Sequence, residues 1–395
     1  MVQYLNIKYL IKQLFMSDRK YITYFFGAGA SAQAIPVASQ LRARLGDLKD
    51  YLQDNYITIN EGALSRLDHN LSNHQVELKM LVDDIDWLIN ETKEYETIDV
   101  YAKKLYDNRS SLLYKLKMVL TFYFYFEQCI NIPSKNSTKG PLQFQRMRDP
   151  RYDSLVSLIA KNSFGDIKLN DKIKILTWNY DMQIDLAIKN HTDKDISKVK
   201  IEYNIYPNQN TYDDNKFNIN TENFCVIKLN GNAYLDHLGY KDDGIAHIMY
   251  DETNQNEQSK ISKALLVYVS MFSTNRSYSV SQFKFFNFAW EDEEKYTGYS
   301  KTLDSVKAIA NQTKILIVCG YSFPPFNSII DMQILNEMWP AEIHIQDENP
   351  QIIENRIREL NPKFNSDGDK SFPKIEFKYI SKDGNFSFPS LHYIS

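Results

Sequence analysis

Two glycines one residue apart, Gly27 and Gly29, directly follow a run of strand-forming residues, Tyr21-Ile-Thr-Tyr-Phe-Phe26. Glycine is scarce in this chain, 13 in 395 residues, about half the roughly 7% average, so a pair in one turn is informative. Without a Cβ the backbone can turn tightly and approach a ligand closely. The helix expected after Gly27-Ala-Gly-Ala-Ser31 would offer unpaired N–H groups and a positive dipole end to an anion such as a pyrophosphate. The segment also fits G-x-G-x-x-A through Ala32. The same turn would serve equally as a strand-to-helix connection that binds nothing. Hydride-transferring dinucleotide enzymes carry an acid after a second strand about 20 residues on. Asp47 stands at that distance but inside a helical pattern, which counts against that chemistry.

A second group is Thr177-Trp-Asn-Tyr-Asp181, which ends the apolar run Lys172-Ile-Lys-Ile-Leu-Thr177. In an open parallel sheet, ligands bind beyond the carboxyl ends of the strands. There Asn179 can both donate and accept a hydrogen bond and suits a ribose hydroxyl or a water. Asp181 can orient a partner, or simply cap the next helix. Two further turns close apolar runs in the same way: Lys228-Leu-Asn-Gly-Asn232 after 224–229, and Gly320-Tyr-Ser-Phe323 after 314–319.

The elements needed to hold these groups follow from the pattern. Short apolar runs at 21–26, 172–177, 224–229, 314–319, 342–346 and 374–380 alternate with helical stretches, including 38–52, 328–338 and 350–360. Continuous apolar strands separated by helices predict an α/β fold, a Rossmann-like parallel sheet with helices on both faces. Residues 53–165 read almost wholly as helix and are expected to form an insertion domain between the first and second strands. Within them Thr121-Phe-Tyr-Phe-Tyr-Phe126 is apolar all round and should be buried, between subunits or within one. Thr97-Ile-Asp-Val-Tyr-Ala-Lys103 reads as a helix start that packs. Residues 232–310 read as mixed, with one helix near 257–272. Residues 1–20 read as an N-terminal amphipathic helix.

Composition bounds the rest. Forty-three per cent hydrophobic and 24% charged residues are ordinary for a folded globular chain. A balance of 46 basic against 50 acidic side chains, net −4, lacks the basic stripe of a nucleic-acid binder, so no direct nucleic-acid binding is expected. No apolar run approaches the roughly 20 residues of a membrane span. Three isolated cysteines, Cys129, Cys225 and Cys319, offer no disulfide framework and no CxxC pair for zinc, and the seven histidines form no ligand cluster. A cytoplasmic address and a site without metal are expected.

The four motifs in order, GAGAS, TWNYD, KLNGN and GYSF, resemble the Sir2-like NAD-binding fold, in its bacterial defence-associated branch rather than among the zinc-bearing deacylases. The resemblance covers the sheet, 21–52 and 166–395, and neither the helical segment nor 232–310. It implies NAD⁺ as substrate, lying across the strand ends. Gly27, Ala28, Gly29 and Ser31 would lie over the pyrophosphate. Thr177 and the catalytic Asn179 and Asp181 would serve the nicotinamide ribose. Gly320 and Ser322 would face the adenosine half, with Asp347 near the adenine ribose. The implied activity is cleavage of NAD⁺ to nicotinamide and ADP-ribose, as the effector of a prokaryotic antiviral (abortive infection) system. Such effectors act as homo-oligomers or with a HerA-type ATPase or an Argonaute-like partner.

One departure bears on mechanism. The family pattern K-L-H-G carries a histidine that acts as general base, and this chain has Asn230 there. An amide cannot accept a proton near neutral pH, whereas imidazole can. His237 could stand in only if its loop folds back. Hydrolysis is the reaction least affected, because nicotinamide leaves as a stable neutral group and water readily captures the ribosyl cation left behind. The alternative is a chain that binds NAD⁺ or ADP-ribose without turnover, as a sensor or scaffold subunit of a defence complex.

Overall fold

A computed structural model describes residues 19–57, 72–133, 147–163, 166–208, 218–233, 236–237, 256–274, 283–284, 286–291, 299–365 and 375–389. The N-terminal segment read as an amphipathic helix lies outside them, except for its last two residues. So does much of 232–310.

Seven strands form one parallel sheet: β1 (Tyr21–Phe26), β4 (Ile173–Thr177), β5 (Ile205–Tyr206), β6 (Cys225–Lys228), β9 (Thr313–Cys319), β10 (Glu342–Gln346) and β11 (Glu376–Ile380). Their order is β11-β10-β9-β1-β4-β6-β5, so β1 is central, with Ile22 to Phe26 registered on Ile173 to Thr177 of one neighbour and on Ile315 to Cys319 of the other. Alternation along β1 explains its unbroken apolar run. Tyr21 and Phe25 point into a core beneath α9 (Tyr299–Asn311), α10 (Ser328–Glu337) and α11 (Pro350–Leu360). Ile22, Tyr24 and Phe26 point into a second core beneath α5 (Pro150–Ile159), α6 (Gln183–Asn190) and α7 (Ile196–Glu202). A strand buried on both faces is apolar almost throughout, the exception here being Thr23, whose hydroxyl is paired with that of Thr313 at 2.7 Å, and each large apolar side chain so buried contributes on the order of 1.5–3 kcal/mol.

Between β1 and β4 the described chain runs through α1 (Leu41–Tyr56), α2 (Gln75–Glu91), α3 (Ile98–Asp107), α4 (Leu112–Cys129) and α5. A short antiparallel hairpin follows, β2 (Ala160–Ser163) with β3 (Asp166–Leu169). It straddles position 165, where the helical segment was expected to end, because its alternating Lys-Asn-Ser and Asp-Ile-Lys residues carry little strand signal. Helices α1 to α4 and α8 (Glu257–Thr274) share a third apolar core. In α4 every residue from Leu116 to Gln128 is buried, and this happens within the chain itself, without a second subunit. Asp47 on α1 belongs to this region: it pairs with the buried Arg44 at 3.3 Å, and Arg44 pairs with Glu127 of α4 at 2.8 Å. The remaining strands, β7 (Asp236–His237) and β8 (Phe283–Lys284), pair antiparallel apart from the main sheet.

Among the described residues no helix is long and apolar enough to cross a membrane.

Candidate functional site

The turns that follow β1, β4, β6 and β9 meet at the carboxyl edge of the sheet. Gly27 N–H donates to the Cys319 carbonyl (3.1 Å), and Gly29 N–H to that of Gly320 (2.9 Å). The two turns touch through backbone. A Cβ on Gly29 would lie 2.7 Å from Gly320 Cα, and one on Gly27 would lie 2.5 Å from the Tyr321 ring. Gly320 has φ +57, a left-handed conformation, and its own Cβ would fall 2.3 Å from the Gly29 carbonyl carbon. All three glycines are thus required by the approach of one turn to another. The space first read as room for a ligand's phosphates is occupied, at this depth, by the Gly320 backbone. Ala28 at the tip is exposed and Gly29 half-buried, whereas Ala30 and Ser31 of the same 3-10 turn are buried.

The loop is held from below by residues that the sequence did not single out. Arg151 donates to the carbonyls of Gly29 (3.3 Å) and Ala30 (2.8 Å), and its guanidinium is locked against Asp149. Burial opposes the Arg151 charge, but the Asp149 carboxylate more than offsets this and raises its pKa. Asp149 also caps α5 and accepts from Gln33 N–H. The cap itself was legible as Asp149-Pro150, a helix-start pair. That it would hold the glycine loop was not, since this depends on where α5 packs.

Asn179 is the residue most completely surrounded by the motifs. Its Nδ2 donates to the Gly27 carbonyl (2.9 Å) and to Ser31 Oγ (3.2 Å), and its backbone N–H to Thr177 Oγ1 (3.0 Å). A carbonyl only accepts, so this pairing fixes the amide orientation. The Asn179 Oδ1 accepts from no described residue and remains available to a hydroxyl or a water. Thr177 and Ser31 are themselves buried. Thr177 shapes the turn. Ser31 Oγ is spent on Asn179, on Tyr152 (3.0 Å) and on Asp181, so it positions Asn179 where a phosphate contact was expected.

Asp181 likewise points inward. Its Oδ1 accepts Gln183 N–H (3.0 Å), which leads the chain into α6, and burial pushes its carboxyl up despite that bond and the nearby Lys228 ammonium. Of the two readings, the turn-capping one describes its contacts. The Lys228 Nζ donates to the Asp181 carbonyl (2.7 Å) and lies 2.6 Å from Asp185 Oδ2, both side chains almost fully buried. Burial pushes that ammonium down and Asp185 opposes the shift. This ion pair ties KLNGN to TWNYD underneath the site. A comparable tie joins TWNYD to GYSF: Trp178 Nε1–H donates to Asp331 Oδ1 (3.0 Å) and Tyr321 OH to Oδ2 (2.6 Å). Burial lifts the Asp331 carboxyl to about 7.

The KLNGN turn differs. Asn230 donates through Nδ2 to the Tyr180 hydroxyl over a long 3.4 Å, and its backbone carbonyl accepts Asn287 N–H at 2.7 Å. Its Oδ1 has no partner among the described residues. Two positions on, Asn232 is 4% exposed and its Oδ1 is buried without a hydrogen bond among the described residues, a costly arrangement for an amide oxygen. Tyr180 packs on Phe286 with ring centroids 4.2 Å apart, and Phe286 on Phe288. Neither Asn232 nor the aromatic segment 286–290 was singled out as a site element. Their signal, an asparagine doublet around a glycine and alternating phenylalanines, is indistinguishable from turn and core. The His237 backbone lies in β7, paired with Phe283 of β8.

Ser322 is exposed and Asp347 half-exposed, at the ends of β9 and β10, the latter accepting Asn349 N–H at 3.0 Å. Both lie on the β9–β10 side of the glycine loop, away from Asn230. No family model matches the chain, and no curated protein matches it.

Proposed function

We propose that the chain is an NAD⁺ glycohydrolase, with its substrate lying across the strand ends. The dinucleotide's adenosine half faces Gly320, Ser322 and Asp347, and its nicotinamide ribose faces Asn179 and Asn230. The observation that carries this reading is the Asn179 amide. Its donors are fully committed to the glycine loop, so its one unspent acceptor is held rigidly at the mouth of the central strands. A fixed acceptor of that kind orients a ribose hydroxyl or an attacking water without reorganising at the moment of reaction. The chain's part in the chemistry is to position the ribose, exclude bulk water with Tyr180 and Phe286, and stabilise positive charge developing at C1′. The Ala28 tip, with its exposed backbone, is the part of the loop suited to the pyrophosphate.

By the family resemblance, the chain acts in the cytoplasm as the effector of an antiviral abortive-infection system. It does so as a homo-oligomer or with a HerA-type ATPase or Argonaute-like partner, using no metal. The helices between β1 and β4 form the insertion domain that covers the nicotinamide side.

A second reading is favoured by one contact. Asn230 occupies the family's base position and is engaged with the Tyr180 hydroxyl, as expected of a sensor that binds NAD⁺ or ADP-ribose without turnover. Nicotinamide release from NAD⁺ by the full chain, read by chromatography, separates the two. Release supports the hydrolase, and saturable NAD⁺ binding without release supports the sensor.

A further inference from the structure

The histidine missing from the KLNGN turn leaves a proton acceptor to be found, and two carboxylates, Asp99 and Glu291, act on Tyr180, whose hydroxyl Asn230 contacts. Asp99 lies in the first turn of α3. At helical spacing, Asp99, Lys103 and Tyr106 share one face. Tyr106 packs on Trp290 with ring centroids 5.2 Å apart, and Lys103 lies over the same ring at 5.6 Å. Trp290 stacks on Phe288, which packs on Phe286 and on Tyr180. That face of α3 is therefore directed at the aromatic wall around Asn230, and the Asp99 charge acts on the Tyr180 hydroxyl.

Two properties set Asp99 apart from other carboxylates nearby. Glu291 is paired with Lys117 at 2.6 Å, Asp185 with Lys228, and Asp181 and Asp331 are hydrogen-bonded. Asp99 has no hydrogen-bond or ion-pair partner among the described residues, although it is only partly exposed. A half-buried carboxylate left unpaired on a cleft wall is costly unless something else occupies the site. Desolvation raises its pKa to about 6, near the optimum for an acceptor working around neutrality. The titratable groups the structure relates to it are Tyr180, on which Asp99 and Glu291 both act, and Lys103 on its own helix face, paired with Asp107; Glu291 is held by Lys117.

We propose that Asp99 is the proton acceptor for the attacking water, reaching the nicotinamide ribose from α3 in place of the absent histidine. This rests on the hydrolase reading. As the C1′–N bond breaks, its electron pair passes to nicotinamide. The water oxygen bonds to C1′, and its proton passes to the Asp99 carboxylate and then to solvent. Asn230 and Tyr180 act as positioning residues beside it.

The test compares wild type, Asp99→Asn, Asp99→Ala and Asn179→Ala as full chains. Nicotinamide release is measured from pH 5 to 9, and NAD⁺ binding is measured in parallel. The expected result is an acid limb in wild-type kcat with a midpoint near 6. In Asp99→Asn the limb should be absent and kcat lowered about 10²–10⁴-fold, with NAD⁺ affinity within about threefold. Added formate should restore part of the Asp99→Ala rate. Wild-type kcat and acid limb retained in Asp99→Asn, while Asn179→Ala is inactive, would overturn the Asp99 assignment and leave the hydrolase standing. No release by wild type would overturn both.

Discussion

The two sides of the strand-end cleft are built on opposite terms. On the β1–β4–β9 side almost every polar group is committed. Ser31, Thr177, Asp181, Asp185, Arg151 and Asp331 are buried and bonded to one another, to backbone or to Lys228. On the KLNGN side beyond Lys228, the Asn230 side chain makes one long contact, and the Asn232 oxygen and Asp99 have no hydrogen-bond partner among the described residues. A fully satisfied network fixes geometry, whereas unspent polar atoms in a protected site await a ligand. The difference teaches that the motif richest in glycine and hydroxyls is the scaffold, while the plainer turn opposite carries the unspent polar atoms.

Asn179 belongs to the committed side yet keeps one unspent acceptor, and under the proposed function changing it should have the largest effect on activity. Asn179→Ala removes the unspent acceptor held by the glycine loop, and nicotinamide release should fall by about 100-fold or more. Comparable turnover in that variant would show that the scaffold side presents nothing to the substrate.

On the scaffold side itself the dominant effect is on stability. Gly320→Ala combines a left-handed backbone conformation with a contact of 2.3 Å to the Gly29 carbonyl carbon. It should cost about 2–5 kcal/mol in denaturant unfolding. A loss below about 1 kcal/mol would mean that the two turns can separate.

A smaller effect distinguishes the Asp331 tie. Its folded carboxyl titrates near 7, well above the unfolded value of about 3.9, so between those values the folded state binds more protons than the unfolded one. Its contribution to stability is therefore complete below about pH 4 and declines as pH rises towards 7 and just beyond. Asp331→Asn should flatten that part of the stability–pH curve relative to wild type. An unchanged slope would place the titration elsewhere.

The smallest effect should come from Gly46, a helix-interior glycine of α1 whose added Cβ would meet nothing within 4 Å. Gly46→Ala should stabilise by about 0.5–1 kcal/mol, in contrast to Gly320→Ala in the same unfolding assay.

The contrast between the sides also explains what could be read before the structure. The central strands were legible because burial on both faces forces unbroken apolar runs, and Tyr21–Phe26 matches β1 at both ends. Gly27, Gly29 and Asn179 were legible because glycine pairs and strand-end amides are rare enough to notice. Their tasks were only half legible. The close approach serving Gly29 is made by Gly320, nearly three hundred residues away, and Ser31 turns inward to Asn179. Arg151, Asp331 and Asp185 act through distant contacts that no local spacing encodes. Asp99 carries the ordinary signature of a helix start, and only the packing of α3 on Trp290 turns its face towards the aromatic wall.

The central position of β1 has a consequence for the order in which the chain can be completed. Its six residues are made before either neighbour, of which one is β4 and the other is β9, which begins only at Thr313. At roughly 5–20 residues per second, the wait for that second neighbour is on the order of 15–60 s. For that time a wholly apolar segment has an unpaired edge. Nascent chains that stall before residue 313 should bind holdase chaperones through Tyr21–Phe26.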